Sequence, residues 1–158
     1  MTRHVYASYP GFSPDEVRTD QREDQARLQW VVVVDEGLSP GRAANAAACV
    51  AAATSPAIAG FLGPDATDGP GSRHPGLPWA GCTILRAPAA TLGALRDRAA
   101  RSEGMFVADM PAVAQRTRIY GSYLSELAGE QAPDYLAVGI VGPRNRVAAM
   151  VAGLPPLG

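Results

Sequence analysis

The clearest hydrophobic pattern lies at Leu28–Asp35, where four consecutive valines follow Trp30. A short apolar run of this kind predicts a strand buried on both faces. Ser39 and Pro40 then supply an N-cap and a first helical residue, so a helix is expected over Arg42–Thr54, with Pro56 limiting its end. That helix is apolar nearly all round and is expected to be buried against the sheet and its neighbours. Ala80–Arg86 predicts a second strand and Thr91–Ser102 a helix carrying Leu92, Leu95 and Ala99 at helical spacing. Met105–Asp109 predicts a third strand. Val113, Thr117, Tyr120, Leu124 and Leu127 form a stripe over Ala112–Glu130, which predicts one long amphipathic helix. A fourth strand over Asp134–Gly142 and a short helix over Pro143–Val151 close the chain.

Two stretches lack periodicity. Residues 1–27 are charged and poor in large apolar residues, and predict a flexible N-terminal arm or an exposed capped helix, with Ser13, Pro14 and Glu16 as a helix-start signal. Residues 63–78 are rich in Gly, Pro and Asp and predict a long loop. The core domain is therefore expected over residues 28–158. Its strand–helix alternation predicts an α/β fold in three layers, α/β/α.

Composition narrows the chemistry. The 158 residues carry 14 basic side chains, all arginine, against 15 acidic ones. The lack of lysine removes any mechanism that needs a catalytic amine. A net charge of −1 argues against broad nucleic-acid binding, although a local arginine patch stays open. Cys49 and Cys82 lie in apolar stretches and are expected to be reduced core thiols. With no signal peptide and no membrane-length apolar run, the expected location is cytoplasmic. No dinucleotide, P-loop, CxxC or HExxH motif is present, and two histidines, His4 and His74, are too few for a histidine-based metal site. No metal or cofactor is expected.

Three groups of residues could carry chemistry. Asp35, Arg42 and Asn45 sit where a buried strand passes into a helix, a place where α/β sheets gather ligands. The alternative is a turn-capping Asp35 with a solvated Arg42. Asp109, Gln115, Thr117 and Arg118 would converge at the same sheet edge as an acid/base or orienting set. Here the alternative is a capping Asp109 and a core Thr117. Asp68, Arg73, His74 and Trp79 lie in the long loop, where histidine is the one side-chain type whose ordinary pKa lies near neutrality; the alternative is a solvent-exposed loop histidine. Tyr120 and Tyr123 are read as packing residues.

In combination these pieces resemble the domain of unknown function 2000 family. The resemblance rests on Val31–Glu36 with Leu38–Gly41 and Ala43–Ala48; Asp68-Gly69 with His74-Pro75-Gly76 and Trp79; Asp109 with Ala114-Gln115 and Thr117; and Leu136–Pro143 with Gly153-Leu154. It covers about residues 28–158. That family is similar in fold to type 2 peptidyl-tRNA hydrolases, which implies a small mixed, four-stranded sheet between helices. It also implies that Asn45 and Gln115 stand near those enzymes' glutamines and Asp109 at their aspartate. The hydrolases place a lysine at the first helix start, where this chain has Gly41 or Arg42. A histidine common in the smaller family is here Arg118. Arginine does not titrate as lysine does, but it can hold a phosphate or carboxylate or polarise a carbonyl.

The resulting expectation is a hydrolase-like enzyme acting on an acylated or amino-acid-like small molecule, as in a specialised biosynthetic pathway. Asp109, His74 and Arg42 would be its catalytic residues. Asp35, Asn45, Gln115, Thr117, Arg118 and Asp68 would bind substrate. One rival is a peptidyl-tRNA or aminoacyl-ester hydrolase with a track of Arg42, Arg116, Arg118 and Arg144; another is a non-catalytic ligand-binding module. A small-molecule substrate and a second copy of the chain are the candidate partners; tRNA is a candidate that the charge does not favour, and a membrane is not one.

Overall fold

The computed structural model describes residues 9–158. His4 and the first part of the proposed arm lie outside the described residues. The valine run forms β1 (Leu28–Asp35) at the middle of a four-stranded sheet. It is followed by α1 (Pro40–Thr54), a hairpin of β2 (Ala66–Thr67) and β3 (Arg73–His74), β4 (Thr83–Ala87) and α2 (Ala89–Ala100). Then come β5 (Phe106–Pro111), α3 (Val113–Arg116), α4 (Tyr120–Gly129), β6 (Tyr135–Pro143) and α5 (Arg144–Met150). Strand order is β4-β1-β6-β5, with β1 parallel to β4 and antiparallel to β6, and β6 antiparallel to β5. The sheet is mixed, and β1 and β5 consequently run in the same direction.

Because side chains alternate along a strand, one sheet feeds two cores. Trp30, Val32 and Val34 pack with Ala43, Ala46 and Val50 of α1. Val31 and Val33 pack on the other face with Leu92, Leu95 and Ala99 of α2 and Val147 of α5. Alanine keeps α1 thin, and the sheet accommodates its approach: a Cβ on Gly139 of β6 would lie 2.4 Å from Val50 Cγ1. Glycine is there for closeness, not for backbone conformation.

Several expectations change. Only Ala43, Ala46, Val50 and Thr54 of α1 are buried, so an apolar composition all round does not mean burial all round. Alanine has little apolar area to lose by facing water. Cys49 and Cys82 are both exposed rather than core. Over residues 9–27 the segment read as an arm is laid on the domain. Phe12 and Ala26 are buried, Phe12 stacks on Trp79, and Arg27 holds both Glu16 and the Gly11 carbonyl. Two aromatic or apolar anchors suffice where composition predicted none. The loop at 63–78 is pinned by the β2–β3 pairing and a bridge from Leu62 to Pro78.

The largest change is at Ala112–Glu130. The expected single helix is two, because Thr117 is extended (φ −116°, ψ 150°) and its hydroxyl closes a turn with the N–H and C=O of Ile119. A short polar side chain that bonds to nearby backbone competes with the helix in this way. No residue of α4 is buried, and Tyr120 and Leu124 are exposed. The stripe marks a helix but not a core helix.

Candidate functional site

The residues before α3 belong to β5, whose carboxyl end shares a sheet edge with that of β1. Gln115 ties the two regions together. It accepts a hydrogen bond from Arg42 Nε (2.9 Å) and its amide donates to the Arg42 carbonyl (3.0 Å) and to Asn45 Oδ1 (3.1 Å). The sequence placed these three at one edge, and they meet there. Asp35 does not join them: its Oδ1 accepts from the Gly37 N–H at 2.8 Å and caps the turn into α1. A lone amide on an alanine helix needed a partner, and Gln115 is that partner for Asn45.

Asp109 lies on the other side of the β5 backbone. Its Oδ2 accepts from Arg96 Nε of α2 at 3.1 Å, with the carboxylate 19% exposed. Its Oδ1 has no hydrogen-bond partner among the described residues. Asp109, Met110, Pro111, Ala114, Thr117, Arg118, Ile119, Tyr120 and Tyr123, with Cys49 from α1, line a cavity of about 390 Å³. This is within the range of small-molecule sites. Arg118 is its one cation, and among the described residues no ion pair or hydrogen bond engages it. Tyr123 titrates above its ordinary value of 10, through burial first and then the nearby Tyr120 and Asp109. At neutral pH it is a neutral hydroxyl that can donate. Thr117 spends its hydroxyl on the turn that sets Arg118 and Ile119 against the cavity.

His74 and Asp68 are elsewhere. His74 Nε2 lies 3.2 Å from Asp68 Oδ2 in an exposed hairpin pair, and Asp68 also caps the Ser72 N–H at 2.7 Å. Backbone and histidine bonds hold the Asp68 carboxyl below its ordinary value. Neither residue lines the cavity. The hairpin follows the far end of α1, next to Trp79, whose Nε1 donates to the Gly60 carbonyl at 2.8 Å. The structure thus does not bring His74 together with Asp109 and Arg42, with which the sequence grouped it. Two arginines of the expected track are engaged within the chain. Arg116 pairs with Glu130, and Arg144 donates to the carbonyls of Glu23, Ala26 and Leu28. Reading the sequence missed Arg96, Tyr120, Tyr123 and Cys49 as site neighbours. Cation spacing gives no signal for Arg96, which meets Asp109 across two elements.

Among the described residues, no three His, Cys, Asp or Glu side chains gather where they could hold a metal ion, and no helix is long and apolar enough to cross a membrane. No curated protein matches the chain. A solved structure of a protein of unknown function from Agrobacterium tumefaciens is similar in fold, with a TM-score of 0.72 at 12% identity, covering 84% of this chain and 98% of that one. The family model described as protein of unknown function (DUF2000) matches residues 28–157. The chain belongs to that family.

Proposed function

We propose that the chain is an enzyme that hydrolyses an acyl bond in a small, acylated, amino-acid-like molecule bound in the cavity beside β5. The observation that carries this reading is Asp109: a carboxylate fixed through one oxygen by Arg96, with its other oxygen unpartnered among the described residues, at the wall of a mixed polar and apolar cavity. Asp109 Oδ1 accepts a proton from water as the water oxygen bonds to the acyl carbon. The leaving group departs with a proton from solvent or from Tyr123. Arg118 holds an anionic part of the substrate, as arginine does well. The Arg42–Gln115–Asn45 network braces α3 against α1 and so positions Met110 and Ala114 at the cavity. This reading includes a fold of the type 2 peptidyl-tRNA hydrolase kind, suggested by the sequence resemblance, and a cytoplasmic place of action.

The test is release of acid from a panel of N-acylated amino-acid esters and N-acylated aminoacyl-tRNA, comparing wild type with Asp109→Asn. The expected outcome is turnover of the small esters, with kcat reduced by about 10²- to 10⁴-fold in the variant and KM little changed. Turnover of the tRNA substrate alone, with a steep salt dependence, would move the assignment to peptidyl-tRNA hydrolysis. Absence of turnover across the panel rejects the enzyme reading and leaves a ligand-binding module, whereas a variant as active as wild type rejects Asp109 as the base.

A further inference from the structure

The hydrogen bonds fix which way each residue of the sheet points its backbone. Just past β1 the Glu36 N–H donates to Ala87 O of β4, so the even-numbered end of β1 faces β4 and odd-numbered Val31 and Val33 face β6. Arg144 N–H donating to Arg27 O has the same parity. The partners of Val31 and Val33 are Ile140 and Val138. That leaves Ala137, Gly139 and Val141 to bond β5, opposite Met110, Ala108 and Phe106. The N–H and C=O groups of Val107 and Asp109 therefore turn away from the sheet. No backbone or side-chain partner among the described residues meets them there.

The two edges of the sheet are treated differently. On β4 the chain's own tail covers the edge, with Arg86 N–H donating to Pro155 O and Leu157 N–H to Ile84 O, each at 3.0 Å. On β5 no described residue pairs with the edge, and the cavity meets it at Asp109. Its lining includes Cys49 and Met110 from the α1 side of the sheet and Asp109 from the α2 side. The cavity therefore reaches both faces of the sheet at the carboxyl end of β5. Its far wall is the start of α4, with Ile119, Tyr120 and Tyr123.

Resting on the hydrolase reading above, we propose that this edge defines the substrate class: an N-acyl amino acid or short N-acylated peptide that docks in extended form on the backbone of Val107 and Asp109, with its terminal carboxylate on Arg118. Edge addition supplies paired amide bonds whatever the side chains are, and leaves selectivity to the walls. It satisfies two bare donor–acceptor pairs beside the Asp109 carboxylate. The charge agrees, since no anion among the described residues pairs with Arg118, the cavity's one cation. The size agrees as well, because a cavity of about 390 Å³ with the start of α4 on one side has room for a few residues of an extended chain.

The experiment uses isotope-labelled full-length Asp109→Asn, which keeps the backbone amide at 109 while slowing turnover, and a library of N-acetyl dipeptides with free carboxylates. Binding and amide exchange are followed by NMR. Bound peptide should slow exchange at residues 107 and 109 at least tenfold. N-methylation of the peptide amides should weaken binding at least tenfold. Arg118→Gln should weaken the free-carboxylate peptides by a similar factor and leave their C-terminal amides unaffected. Alkylation of Cys49 in a Cys82→Ser background gives an independent readout, and saturating peptide should slow it. Binding without protection at 107 and 109, or tolerance of N-methylation, overturns the proposal, as does failure of the whole library to bind. Protection that rises with protein concentration alone overturns it in favour of self-pairing. Because the readout is binding, edge-protected peptide binding with no turnover of the ester and tRNA panel by wild type rejects the enzyme reading and leaves the edge as a ligand site. Ester turnover without edge protection does the reverse.

Discussion

At the scale of single residues, the chain uses arginine both to fix carboxylates and to clamp backbone. Glu16 is a case with a measurable consequence. Its carboxylate accepts from Arg27 Nε at 2.7 Å and from the Ser13 N–H at 2.8 Å, and its pKa falls from an ordinary 4.5 to about 2, with the Arg27 bond the largest cause. Between those values the unfolded chain binds a proton that the folded chain does not. The stabilisation is complete above about pH 4.5 and is lost as pH falls toward 2. Glu16→Gln should flatten the pH dependence of Tm between pH 2 and 4.5 relative to wild type. An unchanged slope there would show that the Arg27 contact does not persist in solution. Residue chemistry was partly legible from sequence: Arg42, Asn45 and Gln115 meet, because each had to lie near a strand's carboxyl end. Arg96 was not legible, since nothing local distinguishes an arginine that reaches a carboxylate on a neighbouring strand from a solvated one.

Elements were legible in type more than in burial. Periodicity reports that a helix has an apolar side, and it does not report what that side meets. In α2 the Leu92, Leu95 and Ala99 stripe meets the sheet. In α4 the equivalent stripe meets the cavity and solvent. Thr117 explains why the long helix breaks, and its hydroxyl turn could have been suspected from a β-branched residue with a competing oxygen. The helix that results has few apolar contacts to lose, so its local opening free energy should be low. Amide hydrogen exchange should be at least tenfold faster across Leu124–Ala128 than across Val138–Val141 of β6, whose side chains of Val138 and Ile140 are fully buried. Equal protection in the two segments would mean that α4 is covered in solution by something the single chain does not contain. A ligand that slows exchange in α4 and at Asp109 together would place it in the cavity that both line.

For the whole molecule, the sheet's two edges decide what the fold presents to its surroundings. The four strands and their layers follow from the valine run, the alternating elements and the resemblance, which is why the architecture could be read before the site. The edge treatment could not be read, because Leu154–Gly158 has no strand pattern and contains two prolines. Proline nonetheless suits a covering segment: Pro155 contributes only its carbonyl, and Pro156 has no N–H to offer a further strand. Removing residues 155–158 would strip both tail bonds from Ile84 and Arg86 and leave β4 as a bare edge, with Ile84 already 37% exposed. The truncated chain should lose stability by about 1–3 kcal/mol, from two net hydrogen bonds and some apolar cover. It should also associate in a concentration-dependent way that light scattering detects. An added Ile84→Lys change should suppress that association, since a charge on an edge strand opposes pairing. If the truncated chain stays monomeric and equally stable, the tail is not what keeps β4 closed, and the contrast with β5, whose edge no described residue pairs, loses its meaning.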